Sequence, residues 1–380
     1  MNKGHKGSSR TSKINPLALP KGTEKFCELC GKVARLQCAA CQVTFYCDAE
    51  HQQADWVGIH KRICQLLVQI RDPGSHVPLR RGRTNLQQKK VELIEICRFE
   101  AGSKLSQGKH QEALPAAQSG LRCLTDVHGS GSCELVPAYL LLAEANMGLG
   151  NISRVKELLS QAEWVVSKSP ECTNEIHHRL HRSLGRLHVL TGDLEAALFH
   201  FANDIYYAAE AFGLESMVIS RGYFLMAGVF VKQGKSPVAS SLYSEVVRSW
   251  HAHLTELLQS HINSPDFSYD KSQQVEVDEM FRTMLEFKQK ESRKDRKQEA
   301  LLNHCLAMLW LLGGDTQKAA GFGSAALQAS QLIPDHDLAE SVRGLLQLAQ
   351  RPQTDPHPGP DQSSCGSCKP TNPLLTPSQF

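Results

Sequence analysis

The chain opens with a cluster of residues whose types and spacing are those of metal ligands. Each cysteine pair separated by two residues can offer two thiolates from one tight turn, and a ligand pair four residues apart lies on one face of a helical turn. The spacing therefore predicts two tetrahedral zinc sites, each with three thiolates and one imidazole. The four pairs are Cys27 with Cys30, Cys38 with Cys41, Cys47 with His51, and His60 with Cys64.

The predicted zinc sites are structural. Protein ligands fill both coordination shells, so no position remains for a catalytic water or a substrate. A module of about 40 residues with few large apolar side chains buries too little surface to fold without its metal. Disulfides are the alternative, but tight Cys-x2-Cys pairs strain a disulfide and the basic N-terminus is unlike a signal peptide. We therefore expect two structural Zn²⁺ ions, and we expect chelation to unfold the module.

The composition is that of a soluble globular protein. Apolar residues make up 41% of the chain and the net charge is +3, so nothing demands a nucleic-acid partner. The cysteines outside the cluster are scattered, as expected for reduced intracellular thiols. The longest apolar run is far shorter than the ~18 residues that a membrane span needs, so we predict no membrane insertion.

A 42-residue period follows the metal cluster. Glycines recur at residues 108, 150, 192 and 234, and a further copy fits at Gly314. Small or β-branched residues lie seven positions before and five positions after these glycines. Glycine ends a helix readily, and small residues let two helices approach closely, so the period predicts helix-turn-helix repeats. An irregular helical bundle with accidental spacing is the alternative, and both interpretations are all-α.

The same pattern places the helices and divides the chain. We predict a basic disordered tail at 1–25, the finger at 26–64, a linker at 65–90, the repeats at 91–350 and a second disordered tail at 351–380. A degraded or replaced unit is expected between Gly234 and Gly314. The predicted helices are 91–106, 111–125, 134–149, 153–167, 174–190, 194–211, 215–232, 237–258, a long polar helix 275–298, then 300–312, 316–331 and a capping helix 337–349, with a loop at 259–270.

The finger resembles the MYND family of zinc fingers. The resemblance rests on the order of the ligands and on Tyr46, Gln52 and the Asp55-Trp56 pair, with His51 in place of the more common cysteine. Its cross-braced pairing implies one zinc ion on Cys27, Cys30, Cys47 and His51. It implies the second zinc ion on Cys38, Cys41, His60 and Cys64.

The MYND resemblance also implies protein binding. In that family the finger binds short proline-containing peptides, and in some members the residues matching Gln52 and Trp56 contact the peptide. Ala39, where a peptide-binding member offers a hydroxyl, departs from the pattern. The alternative is that Trp56 packs under the zinc sites and the finger docks on the repeats.

The repeats resemble the long-helix variants of the tetratricopeptide (TPR) family, which implies an α-solenoid whose concave face binds proteins. The residues after the small first-helix positions include Glu144 and Arg186, where carboxylate-clamping TPR domains carry asparagine. Finger and repeats together imply a non-enzymatic adaptor. Several MYND and TPR proteins act in cilia and sperm flagella, so the resemblance implies an intracellular axonemal role with axonemal or TPR-containing partners.

Two functional alternatives remain open. One is a nuclear corepressor adaptor that binds proline-motif peptides through the finger. The other is a relative of the SET lysine methyltransferases, although too few residues precede Cys27 for the part of that domain that binds the methyl donor.

Three further clusters have plainer interpretations. The basic run at 288–297 has no interleaved aromatic residues, so we interpret it as a solvated helix face and consider nucleic acid unsupported. The histidines 177, 178 and 181 are expected to be surface residues. Cys365 and Cys368 form a Cys-x2-Cys pair in the C-terminal tail with no partner pair nearby, typical of a reduced dithiol.

Overall fold

The computed structural model describes residues 11–13, 24–72, 79–264, 269, 274–290, 295–331, 333 and 336–350. Within these residues the chain is predominantly helical, which confirms the predicted all-α class with an N-terminal finger. The C-terminal tail, with Cys365 and Cys368, lies outside the described residues. No helix in the described ranges is both long enough and apolar enough to cross a bilayer.

The finger combines a small antiparallel sheet with short helical segments. Its elements are β1 (Thr11–Lys13), β2 (Leu36–Cys38), β3 (Phe45–Tyr46), α1 (Ala49–Asp55), a π-helical turn (Trp56–His60) and α2 (Lys61–Arg71). β2 pairs with β1 on one side and with β3 on the other. The pairing of β1 corrects the prediction that all of 1–25 is disordered, because Thr11–Lys13 satisfies the backbone groups on one edge of β2.

The helices after the finger pack against their neighbours in chain order. They are α3 (Leu79–Ser106), α4 (His110–His128), α5 (Val136–Gly148), α6 (Ile152–Lys168), α7 (Asn174–Thr191), α8 (Leu194–Phe212), α9 (Met217–Lys232), α10 (Ser236–Asn263), α11 (Gln274–Lys290), α12 (Arg296–Leu312), α13 (Thr316–Ser330) and α14 (His336–Ala349). The pairs α3 with α4, α5 with α6, α7 with α8, α9 with α10 and α12 with α13 contain the periodic glycines between their two helices. The structure thus fits the predicted helix-turn-helix repeat.

Each periodic glycine adopts the left-handed conformation that the turn requires. The φ angles of Gly108, Gly150, Gly192, Gly234 and Gly314 are 70°, 73°, 84°, 72° and 85°. At each turn the next residue donates its backbone N–H to the carbonyl five positions earlier, as in the 3.0 Å bond from Asp193 to His188. This is the hydrogen bond of a Schellman motif, in which a residue with a Cβ would be strained.

The small residues beside the turns are buried between the paired helices. In the first pair, Ala101 of α3 and Ala113 of α4 are fully buried. In the third pair, a Cβ on Gly185 of α7 would come within 2.5 Å of the Phe201 ring of α8. Because these positions set how closely two helices approach, the period in the sequence reports the packing of each pair.

The segment predicted as a linker, 65–90, is largely helical. α2 continues to Arg71, and α3 begins at Leu79 rather than at residue 91. The proline and glycine residues typical of a linker lie in the middle of the segment, at 73–82, and the residues on both sides are mostly good helix formers. Leu67 of α2 is buried with Leu93 of α3, so tertiary packing favours helix here. Residues 73–78 lie outside the described ranges.

The unit between Gly234 and Gly314 is replaced by one long helix and one extra helix. α10 extends to Asn263, past the predicted end at 258, and α11 ends at Lys290 instead of running to 298. α11 is amphipathic rather than polar: its Phe281 ring lies 5.9 Å from Trp250 and its Phe287 ring 5.2 Å from Tyr243, both of α10. It therefore packs against both α10 and α12, which also contact each other directly.

The helical repeats contain two large apolar cores, with a smaller apolar cluster and a buried polar layer between them. One core runs from Ile59 of the finger to Leu187 of α7, and the other from Ala227 of α9 to Leu345 of α14. Between them the fully buried Asp204 carboxylate of α8 accepts hydrogen bonds from His178 at 3.1 Å and from Arg182 at 2.8 Å. Arg182 also donates to the carbonyl of Val218 at 2.9 Å, which ties α7 to the start of α9.

Candidate metal centre

The first predicted ligand set converges on one point. The Sγ atoms of Cys30 and Cys47 are 3.5 Å apart, and Sγ of Cys27 lies 3.6 Å from Nδ1 of His51. All four ligand atoms lie within 4.8 Å of one another. Ligand atoms bound to a tetrahedral zinc ion at its usual bond lengths stand about 3.5–3.8 Å apart, so the arrangement fits Zn²⁺. Cys30 is exposed, which leaves this first zinc site at the surface.

The second ligand set is equally compact but buried. Sγ of Cys41 lies 3.6 Å from Nε2 of His60, and the Sγ atoms of Cys38 and Cys64 are 4.0 Å apart. All four residues are buried, and their ligand atoms again lie within 4.8 Å of one another. The two clusters fit two structural zinc ions, with the cross-braced pairing that the MYND resemblance implied.

Local backbone geometry positions the ligands. In both Cys-x2-Cys turns a later residue donates its backbone N–H to the carbonyl of the first cysteine. Gly31 donates to Cys27 at 3.0 Å, and Gln42 donates to Cys38 at 2.9 Å. Gly31 and Gln42 are both left-handed, with φ of 68° and 58°. The two turns are therefore structurally equivalent, although only one of them uses glycine.

The helical contribution to the first site differs from the prediction. Cys47 lies before α1 rather than on it, because Asp48 caps the helix by accepting the His51 N–H at 2.8 Å. The Sγ atom of Cys47 still lies 2.9 Å from Nδ1 of His51. Aspartate is one of the short polar residues favoured at the position before a helix, which explains why α1 starts after Asp48.

A buried polar network supports the second site. Tyr46 donates its hydroxyl hydrogen bond to Asp55 Oδ2 at 2.7 Å, and the same oxygen lies 3.6 Å from Nδ1 of His60. A carboxylate beside the far nitrogen of a histidine ligand can orient its ring. Tyr46 and Asp55 are part of the MYND resemblance, but their role beside His60 was not predicted from the sequence. Their positions beside the ligands Cys47 and His60 are a weak signal for it.

The electrostatics of the second site favour a metal-bound thiolate. Burial raises the pKa of Cys41, but its hydrogen bonds with His60 and Thr44 outweigh burial and lower that pKa to about 6. Burial raises the pKa values of Cys38 and Cys64. Cysteine coordinates a metal as a thiolate. A doubly charged cation at this site would stabilise the negative charge of these buried thiolates.

The predicted peptide-contact pair does not form an open platform. Gln52 is only 1% exposed and lies in α1, which packs against α4. Trp56 is half-buried, and its ring lies 5.9 Å from the ring of the ligand His60. The two residues are four apart in sequence, but Gln52 is buried and is not available to a peptide in this arrangement.

The finger docks on the first repeat by polar contacts as well as by apolar packing. Glu28, next to the first ligand, accepts hydrogen bonds at 2.7 Å from Arg71 of α2 and from Arg122 of α4. Burial raises the pKa of Glu28, but the hydrogen bond from Arg71 and the charge of Arg122 outweigh it and lower that pKa. Lys104 of α3 donates to the Val57 carbonyl at 3.1 Å. No spacing in the sequence pointed to these contacts.

The histidine cluster at the start of α7 is only partly at the surface. His178 is buried, so the expectation of a surface residue is wrong for this position. The buried Asp204 carboxylate needs hydrogen-bond partners, and His178 is one of them. His181 lies with its Nδ1 2.9 Å from Nδ1 of His200, and both His177 and His181 stack on Tyr207. Burial lowers the pKa of His177.

The basic run is interrupted by packing. Lys288 is buried and donates to Ser240 Oγ at 2.5 Å, so its side chain is held within the protein. Residues 291–294 of the run lie outside the described ranges. Lys288 is therefore not available to contact the phosphates of a nucleic acid.

Comparison with known proteins identifies the finger. Residues 27–64 match the MYND finger family, so this part of the chain is a MYND finger. Two curated relatives match over short stretches: Egl nine homolog 1 of Mus musculus, 44% identical over 50 residues, and Egl nine homolog 1 of Homo sapiens, 50% identical over 42 residues. The matches cover 13% and 11% of this chain, and the chain spans only 12% and 10% of the length of those relatives.

Among solved structures, this chain is distantly similar to BtubC (BKLC) from P. vanneervenii. The TM-score is 0.31 at 16% identity, with 73% of this chain and 99% of the other covered. MYND fingers are protein-interaction domains.

Proposed function

We propose that this chain is a non-enzymatic adaptor that binds other proteins. The observation that carries the proposal is the continuous core in which the MYND finger and the first helix pairs are packed together. A finger whose zinc ligands are all supplied by protein offers no open metal position for catalysis, and helical repeats present an extended surface to partners. The two parts thus make one scaffold rather than two independent modules.

The binding surface we propose is the face formed by the first helices of successive pairs. Glu144 of α5 and Arg186 of α7 are 42 residues apart and form an ion pair at 2.9 Å. Arg221 of α9 likewise donates to Glu276 of α11 at 2.9 Å. All four side chains are partly exposed, so a partner segment with its own charges can exchange with these pairs.

The particular role we propose is in the axoneme. A MYND finger followed by long-period TPR-like repeats resembles the zinc finger MYND domain-containing protein 12 type. By that resemblance the chain acts in the assembly or function of cilia and sperm flagella, in the cytoplasm and at the axoneme, with axonemal or TPR-containing partners. The nuclear corepressor role is the second candidate, and the burial of Gln52 weakens it. The SET methyltransferase relationship is the third.

The test is affinity purification from ciliated or testis tissue followed by mass spectrometry. We would compare the wild type with Arg186→Glu/Arg221→Glu, which reverses two charges on the proposed face. Arg248→Glu is the matched control, because Arg248 is 76% exposed and pairs with Glu245, three residues earlier on the same helix α10.

We expect axonemal proteins to co-purify with the wild type and the control and to be lost from the double variant. Chromatin proteins in place of axonemal ones would move the assignment to the corepressor role. Equal recovery from all three proteins would count against the proposed face.

A further inference from the structure

One helical segment of the finger carries the second zinc site on one side and the repeat core on the other. His60 and Cys64 supply two of the ligands from the end of the π-helical turn and the first turn of α2. Ile59, Ile63 and Leu67, at the neighbouring positions, are at most 2% exposed and belong to the core that continues into α3 and α4. The ligands and the packing face therefore share the same two helical turns.

The contact between this segment and α4 is close enough to require glycine. A Cβ on Gly58 would come within 2.6 Å of the Pro115 ring, whose rigid atoms cannot easily give way. The apolar edge beneath the segment belongs to the first repeat, and its members are Leu93, Ile94, Cys97, Ala101, Ala116 and Ala117. The finger thus occupies the place of a capping unit at the N-terminal end of the repeats.

The first zinc site is joined to the repeats by a polar contact rather than by the apolar core: Glu28, next to its ligand Cys27, accepts a hydrogen bond from Arg122 of α4 at 2.7 Å. The ligands of the first site come from the first Cys-x2-Cys turn and from the start of α1, and Cys30 is exposed to solvent. The two sites therefore differ in what their metal holds in place: the first orders the outer finger, and the second fixes the segment that covers the repeats.

We propose that the second zinc site is the clamp of an intramolecular interface, so that zinc at this site keeps the N-terminal edge of the repeats covered. Loss of that zinc releases His60 and Cys64, frees the segment from its helical turns and exposes the apolar edge of α3 and α4. Loss of the first zinc leaves the edge covered. The proposal goes beyond the adaptor role, because it makes one of the two metal ions a control on the surface of the repeats.

The test is hydrogen–deuterium exchange of the full-length, zinc-loaded protein with mass spectrometry. Cys64→Ser removes a ligand of the second site, and Cys30→Ser is the matched change at the first. Gly58→Leu pushes the segment away from Pro115 while keeping all eight ligands. Zinc content by elemental analysis accompanies each measurement, and α12, in the other core, serves as the internal reference.

We expect Cys64→Ser to speed exchange in α3 and α4 by about tenfold or more while α12 stays unchanged. Gly58→Leu should produce the same pattern with both zinc ions bound, whereas Cys30→Ser should leave α3 and α4 at the wild-type rate. Equal protection of α3 and α4 in all variants would overturn the proposal. So would an equal loss in Cys30→Ser and Cys64→Ser.

Discussion

The glycines of the repeat show how single residues fix the turn between two helices. Gly192 has φ of 84° and an added Cβ would meet nothing within 4 Å, so a side chain here is opposed by backbone conformation alone. Gly228 lies in the middle of α9 with ordinary helical φ and also has open space around it. The two positions separate the conformational role of glycine from its size.

We predict that Gly192→Ala lowers the free energy of unfolding by about 1 kcal/mol, because the left-handed conformation disfavours a Cβ. Gly228→Ala should be neutral or stabilising by up to about 1 kcal/mol, since alanine is the better helix former. Urea unfolding followed by circular dichroism measures both. A neutral Gly192→Ala would contradict the assignment of the turn.

A second prediction at the residue scale concerns the buried carboxylate of Asp204. Its removal leaves the Arg182 guanidinium, only 14% exposed, without its ion-pair partner. Asp204→Ala should therefore destabilise the protein by about 3–5 kcal/mol. The exposed pair of Glu245 with Arg248 supplies the control, and Glu245→Ala should change stability by less than about 1 kcal/mol. Similar effects of the two variants in chemical unfolding would disprove a structural role for the polar layer.

At the scale of elements, the distance between paired helices depends on a few small residues. Gly185 of α7 accommodates the Phe201 ring of α8, and Phe201 is 1% exposed. The Schellman turn joins these helices but does not set how closely they approach. The contact between Gly185 and the Phe201 ring sets how closely α7 and α8 approach.

We predict that Gly185→Ala destabilises the protein by about 1–3 kcal/mol, because the added methyl group forces the Phe201 ring to move within a close-packed core. Phe201→Leu in the same chain should recover part of the loss, so the two changes should be non-additive in a double-mutant cycle. Additive effects would indicate that the two side chains do not limit the approach of α7 and α8.

At the scale of the whole molecule, buried histidines make the stability sensitive to acid. Burial lowers the pKa of His181 to about 4, helped by His200, and lowers that of His304 to about 3, helped by His251, whose Nε2 lies 3.0 Å from His304 Nδ1. The unfolded chain takes up these protons near pH 6.5. The histidine contribution to the free energy of unfolding is thus fully present above about pH 6.5 and is lost as the pH falls toward 4.

We predict a decline of up to about 1.4 kcal/mol per pH unit for each such histidine across that window. Urea unfolding at pH 7, 6 and 5 measures the slope, and His304→Gln should give a shallower one. Zinc release in acid is common to both proteins and cancels in the comparison. Parallel slopes would show that His304 does not contribute.

The sequence by itself determined the features that depend on residues close together along the chain. The four ligand pairs, the left-handed glycines and the small residues beside them were readable because a knuckle or a helical turn repeats at a fixed spacing. The pairing of the zinc ligands came from the resemblance to MYND fingers, and the geometry brings the same residues together.

Only the tertiary structure decided the features that depend on contacts between distant residues. The burial of Gln52, the close approach of Gly58 to Pro115 and the start of α3 within the predicted linker are features of the finger docked on the first repeat. Asp204 between His178 and Arg182 is a further case. Such contacts join faces of different helices, and spacing along one helix reports which residues share a face but not which partner that face meets.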